Sequence, residues 1–104
     1  MLAALFGNPT AEKVLMFLAL NGDGYAQEIA DRFALSLSMV QNQLIRLQRG
    51  GVLVSIERGR MRFFSFNPRF RFADEIVAML RRAADYLPER DRDRFLVRRR
   101  PRAR

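Results

Sequence analysis

The stretch from Ser36 to Asn67 constrains this chain more than any other. Ser36 is a good helix cap, and Val40, Leu44 and Leu47 follow at i, i+4 and i+7, the spacing of one buried helical face. Gly50-Gly51 stops that helix at about Arg49. The periodicity then switches to that of a strand: Val52, Val54 and Ile56 alternate with Leu53, Ser55 and Glu57, as a half-buried strand should. Arg58-Gly59-Arg60 supplies a tight turn, Phe64 and Phe66 alternate on the return, and Asn67-Pro68 ends the hairpin. A capped helix that passes through a glycine pair into a hairpin leaves few architectures open.

The flanking segments extend the pattern. Asn8 caps and Pro9 suits the first position of a helix over about residues 9–21, with Ala11, Val14, Leu15 and Leu18 at helical spacing and Asn21-Gly22-Asp23-Gly24 as its stop. Tyr25 to Phe33 reads as a short helix burying Ala26, Ile29, Ala30 and Phe33, and Ala34-Leu35 turns the chain toward Ser36. After the hairpin, Phe72, Ile76, Met79 or Leu80, Ala83 and Leu87 mark a helix over about residues 71–87, closed by Pro88. The domain expected is therefore residues 1–87. Residues 88–104 read as a basic, partly disordered Arg-rich tail whose mixed-sign start, Glu89 to Arg94, could extend a helix.

Charge is distributed unevenly along the 104 residues, whose net charge is +8. Residues 46–71 hold seven arginines against Glu57 alone, and residues 88–104 hold eight arginines against three carboxylates. Residues 1–45 are slightly acidic. Such a balance favours a polyanionic partner. Cysteine and histidine are absent, which removes disulfides, the usual zinc ligand sets and the commonest general base. No Gly-rich phosphate loop and no serine–base pair is visible, so no enzymatic activity and no cofactor are expected. Asp74 and Glu75 have no spacing that argues for a cation. The apolar start, Met1 to Leu20, is interrupted by Pro9, Glu12 and Lys13 and reads neither as a signal peptide nor as a membrane span. A cytoplasmic protein with no membrane partner is the expectation.

The order helix, helix, turn, helix, hairpin, helix carries a resemblance. Ala26-Gln27-Glu28-Ile29-Ala30 resembles the second helix of winged helix-turn-helix regulators. Leu35-Ser36-Leu37-Ser38-Met39-Val40, followed by Leu44, Arg46 and Leu47, is similar to their recognition helix. Gly51-Val52-Leu53-Val54 resembles the entry to their wing, and Arg58-Gly59-Arg60 through Phe64-Ser65-Phe66-Asn67 resembles the wing itself. The likeness covers roughly residues 5–87 and is nearest to ArsR-like regulators. It implies a mainly α, α+β fold: a three-helix core, a two-stranded hairpin wing and a C-terminal helix. It also implies a DNA-binding transcriptional regulator, commonly a dimeric repressor. Metal sensing is not carried over, because the ligand residues are missing.

Physical reasoning on the same residues points to duplex DNA. A helix fits the major groove, where glutamine and asparagine can pair bidentately with adenine. The face opposite Val40, Leu44 and Leu47 carries Ser38, Met39, Gln41, Asn42 and Ile45, with Gln43 at its flank. Ser36 and Ser38 stand at the helix start, where backbone N–H groups favour a phosphate, and Arg46 and Arg49 lie further on, placed for the backbone. Arg58, Arg60 and Arg62 arm the wing. Against this stand an ordinary solvated face for the amides, solubilising turn arginines, and a Met39 tucked under the preceding helix. Phe63, Phe64, Phe66, Phe70 and Phe72 could stack on single-stranded bases, but core or dimer packing is the stronger reading. Leu2, Leu5, Phe6, Phe72, Ile76, Met79, Leu80 and Ala83 are the dimer-interface candidates, since terminal helices commonly pair in ArsR-like proteins; the alternative is that they complete a monomer core. A low-specificity nucleic-acid binder anchored by the tail, or a protein-interaction module, are the competing functions. A small-molecule effector is left open.

Overall fold

The computed structural model describes residues 1–96. Helix α1 (Ala3–Phe6) leads through Gly7 into α2 (Pro9–Asn21). A two-residue strand β1 (Asp23–Gly24) precedes α3 (Ala26–Phe33) and α4 (Leu37–Arg49). Strands β2 (Leu53–Arg58) and β3 (Met61–Phe66) form the hairpin, and α5 (Ala73–Ala84) and α6 (Glu89–Phe95) follow. This is the α+β winged helix-turn-helix arrangement, with helix ends where the cap chemistry puts them. The Asn8 side chain accepts from the Ala11 N–H at 2.7 Å, and Ser36 Oγ accepts from the Met39 N–H at 3.2 Å.

Helix α2 is the centre of the molecule. It is buried on nearly all sides, from Thr10 to Ala19 with only Glu12 and Lys13 half-exposed, and α1, α4, α5, α6 and the sheet pack around it. Helix α5 lays Ala73, Leu80, Ala83 and Ala84 inward. The alanines let it approach closely, and Arg81 Nε donates to the Ala19 carbonyl at 3.1 Å. Leu80 is fully buried and Ala83 nearly so. Both belong to the monomer core and cannot line a dimer interface, which corrects the sequence expectation for these two. The ambiguity between Met79 and Leu80 resolves with Leu80 inside.

The wing contains three strands, in the order β1-β3-β2, rather than two. Asp23 pairs with Ser65 and Gly24 with Phe64, so the stop after α2 doubles as an edge strand. The alternation in β2 also runs opposite to the sequence reading: Leu53 is buried, whereas Ile56 is 57% exposed. The register pairs Leu53 with Phe66, Ser55 with Phe64 and Glu57 with Arg62, placing these residues on the core-facing side of the sheet. Phe64 and Phe66 pack on the core from there. Phe63 lies on the other face, edge-on to Tyr25 with ring centroids 5.3 Å apart. Phe70 and Phe72 pair edge-on outside the core.

Packing does not stop at Pro88. Helix α6 folds back so that Phe95 is 7% exposed, its ring 4.7 Å from that of Phe33. Asn21 Nδ2 donates to the Phe95 carbonyl and Arg32 to that of Leu96. The first part of the expected basic tail is therefore an ordered helix. The arginine cluster of residues 98–104 lies outside the described residues.

Candidate nucleic-acid interface

Helix α4 is held by Val40 and Leu44, both fully buried, and by Leu47, which leaves its opposite side to solvent. At 100° per residue, the outermost ridge runs through Ser38, Asn42, Ile45 and Arg49. All four are exposed. Gln41 flanks the ridge on the side of the wing, and Met39 and Arg46 flank it on the other. Thirteen residues give a rod about 20 Å long, a fair match to a major groove roughly 12 Å wide.

A cleft lies along each flank of α4. One, of about 480 Å³, separates α4 from the wing and is lined by Leu37, Gln41, Ile45 and Gln48 opposite Arg60, Met61 and Arg62. The other, of about 440 Å³, separates α4 from the start of α2, where Met39, Asn42 and Gln43 face Asn8, Pro9, Thr10 and Lys13. Met39 is 47% exposed and is not tucked under a neighbouring helix.

The wing is fixed to the end of α4 by Val52, whose N–H donates to the Leu47 carbonyl at 3.0 Å, and by Asn67. Asn67 donates its backbone N–H to the Val52 carbonyl at 2.9 Å and its side-chain amide to the Gly51 carbonyl at 3.0 Å. This ties the last residues of the hairpin to the glycine pair that ends the helix. At the tip, the register Arg58–Met61 leaves Gly59-Arg60 as a two-residue turn, with Gly59 at φ 62° in the first central position, where glycine is favoured.

The seven candidate arginines and serines of the helix and wing are not equivalent. Arg46 Nε donates to Gln43 Oε1 at 3.0 Å and its terminal nitrogen to the Phe6 carbonyl at 3.1 Å. Arg46 and Gln43 thus fasten α1 to α4, a structural role that the helix-face reading missed because Phe6 is forty residues away in sequence. Arg58 lies 4.8 Å from the Phe63 ring centroid and pairs with Asp23 at 3.4 Å. Arg62 bonds Ser55 at 2.9 Å and Glu57 at 3.1 Å, and β-sheet alternation turns it toward α4 while Arg58 turns away. Both ion pairs are largely exposed, a kind worth about 0–1 kcal/mol, so a phosphate can take the place of the Asp23 or Glu57 carboxylate. Among the described residues no hydrogen bond or ion pair engages Arg49 or Arg60. The Ser36 hydroxyl is the α4 cap and lies 3.4 Å from that of Ser38.

Among the described residues, no group of three or more His, Cys, Asp or Glu gathers to hold a metal ion, and no helix is long and apolar enough to cross a membrane.

No protein-family model and no curated protein matches the chain. Solved structures do. The chain is similar to HlyU from Vibrio cholerae, at 20% identity and TM-score 0.62, over 81% of this chain and 82% of that one. It is similar to the adhesin competence repressor AdcR from Streptococcus pyogenes, at 19% identity and TM-score 0.64, over 81% of this chain and 63% of that one. YusO from Bacillus subtilis matches at 23% identity and TM-score 0.58, over 81% of this chain and 65% of that one. The chain thus spans less than two thirds of AdcR and of YusO. At these identities the likeness is one of fold, and the fold is that of the winged-helix transcriptional regulators.

Proposed function

We propose that this chain is a sequence-specific, DNA-binding transcriptional regulator without enzymatic activity, acting as a dimeric repressor of the ArsR-like kind. One observation carries the reading. Helix α4 presents two amides and an arginine on and beside a solvent-facing ridge, and the wing lines the adjoining cleft with Arg60 and Arg62 and carries Arg58 on its other face. In this account Gln41 and Asn42 read base edges. Ser36, Ser38, Arg49, Arg58, Arg60 and Arg62 bind the phosphate backbone or minor groove, and Met39 lies at the edge of the contact. The dimer is drawn from the resemblance, and the repressor role from the resemblance and from the name of AdcR. Leu5, Phe72 and Met79 are the exposed members of the dimer set, with Leu2, Phe6 and Ile76 half-buried beneath them. A two-fold dimer would set its recognition helices about 34 Å apart and favour a near-palindromic site.

The test is selection from a random duplex library at moderate salt. Enrichment of a symmetric motif, lost in the double variant Gln41→Ala, Asn42→Ala, is expected. Binding without any enrichment would replace this reading with a low-specificity binder anchored by its basic end. No binding would move the function to protein partners.

A further inference from the structure

Three large apolar side chains stand exposed on α4: Leu37 at 37%, Met39 at 47% and Ile45 at 43%. Leu37 and Met39 belong to the first turn, each at the edge of a cleft. Ile45 also lines the cleft beside the wing, but it sits mid-helix, on the outward ridge, one turn beyond Gln41 and Asn42 and one turn before Arg49. It belongs neither to the core nor to the partly buried residues packed against it. A β-branched residue at an exposed helix position is a poorer helix former than alanine, so helix propensity does not account for it there.

Its neighbours say what could cover it. Around it stand three cations and three amides, Arg49, Arg60 and Arg62 with Gln41, Asn42 and Gln48, beside the apolar Leu37 and Met61 of the cleft. A protein partner with an apolar face would bury these groups without partners. Duplex DNA satisfies both kinds of group at once. Its phosphates answer the arginines and its base edges answer the amides. The one large apolar group on the major-groove edge is the 5-methyl of thymine. Side chains one helical turn apart stand about 5–6 Å from each other, comparable to one or two base-pair steps of about 3.4 Å. An amide on adenine N6 and N7 therefore leaves Ile45 level with a thymine in the same or the next pair.

We propose that Ile45 is a specificity-determining residue that packs on a thymine methyl, so that the chain reads A·T pairs through Gln41 or Asn42 together with Ile45. This rests on the DNA-binding reading above and adds to it the class of sequence that is read. Burying one methyl against an apolar side chain should change affinity by about fourfold per contacted thymine.

The experiment runs two duplex selections in parallel, one library synthesised with dTTP and one with dUTP, which differ only in that methyl. Wild type and Ile45→Ala are each selected, the variant retaining its helix because alanine is the better helix former. A thymine-containing motif bound about fourfold more weakly per contact in its uracil form, with that difference gone in Ile45→Ala, is expected. Equal binding of both forms by the wild type would overturn the methyl contact while leaving DNA binding intact. A uracil defect that persists in Ile45→Ala would overturn the assignment to Ile45. Failure to bind either library would remove this inference and the DNA-binding reading together.

Discussion

At the scale of single residues, a few positions set the geometry on which the interface depends. Ala34 holds the turn between α3 and α4 at φ 55°, a left-handed conformation that a residue with a Cβ adopts only at some cost. Its backbone N–H bonds the Ala30 carbonyl and closes α3, so the two helices of the motif meet at a defined angle. Gly24 serves a different purpose. A Cβ there would come within 2.6 Å of Cε1 of Phe17, a ring that is wholly buried and edge-on to Phe33. The buried ring or the backbone of β1 would have to shift to admit it. Gly24→Ala should therefore destabilise the fold by about 1–3 kcal/mol, as overpacking does, measured as a shift of the urea midpoint. A substitution without effect would mean that β1 does not press on α2.

Among elements, the central relation is between α4 and the wing, joined through Gly50, Gly51 and Asn67. Arginines that look alike in sequence differ here in what they already hold. Arg49 and Arg60 are exposed on α4 and on the wing turn. Replacing both with alanine should lower the slope of log affinity against log salt by about one per arginine, with stability unchanged within ~0.5 kcal/mol. Arg46→Ala should do the reverse: it should loosen α1 and lower stability by about 1 kcal/mol, with little change in the salt slope. Anisotropy titrations of a labelled duplex across a salt series, beside denaturation curves, separate the two. Element boundaries were legible because they rest on local chemistry: Asn8 and Pro9, Ser36, Gly50-Gly51 and the Gly59 turn. The facing of residues was legible only where one face was plainly apolar, as in Val40, Leu44 and Leu47. Strand β1 has two residues and hence no period to read. Leu53 and Ile56 are both apolar, so the pattern could not say which lies inside. Met79 and Leu80 differ by one position on a broad apolar stripe, and the position of α2 decides between them. The Arg46–Phe6 bond is a long-range contact that no local pattern carries. The candidate DNA-facing residues of α4 and the wing were readable as a surface, but their division into free and engaged groups was not.

For the whole molecule, the folded unit reaches beyond the expected boundary at Leu87. The six residues before Phe95 are all charged, which hides it as a core residue in sequence. Yet it covers Phe33, and through it Phe17. Removal of residues 97–104 should leave the melting temperature nearly unchanged and weaken DNA binding mainly at low salt, as the loss of five arginines requires. Removal of residues 89–104 should in addition expose Phe33 and cost about 3 kcal/mol, similar to Phe95→Ala. A thermal melt of the two truncations measures what α6 adds to the fold. The central claim, that α4 and the wing form the face that meets DNA, is tested most directly by following the backbone amide resonances of the full chain while a short duplex is added. The account predicts shifts concentrated on residues 36–49 and 57–62. Shifts absent there, and gathered instead on α1 and α5, would contradict it.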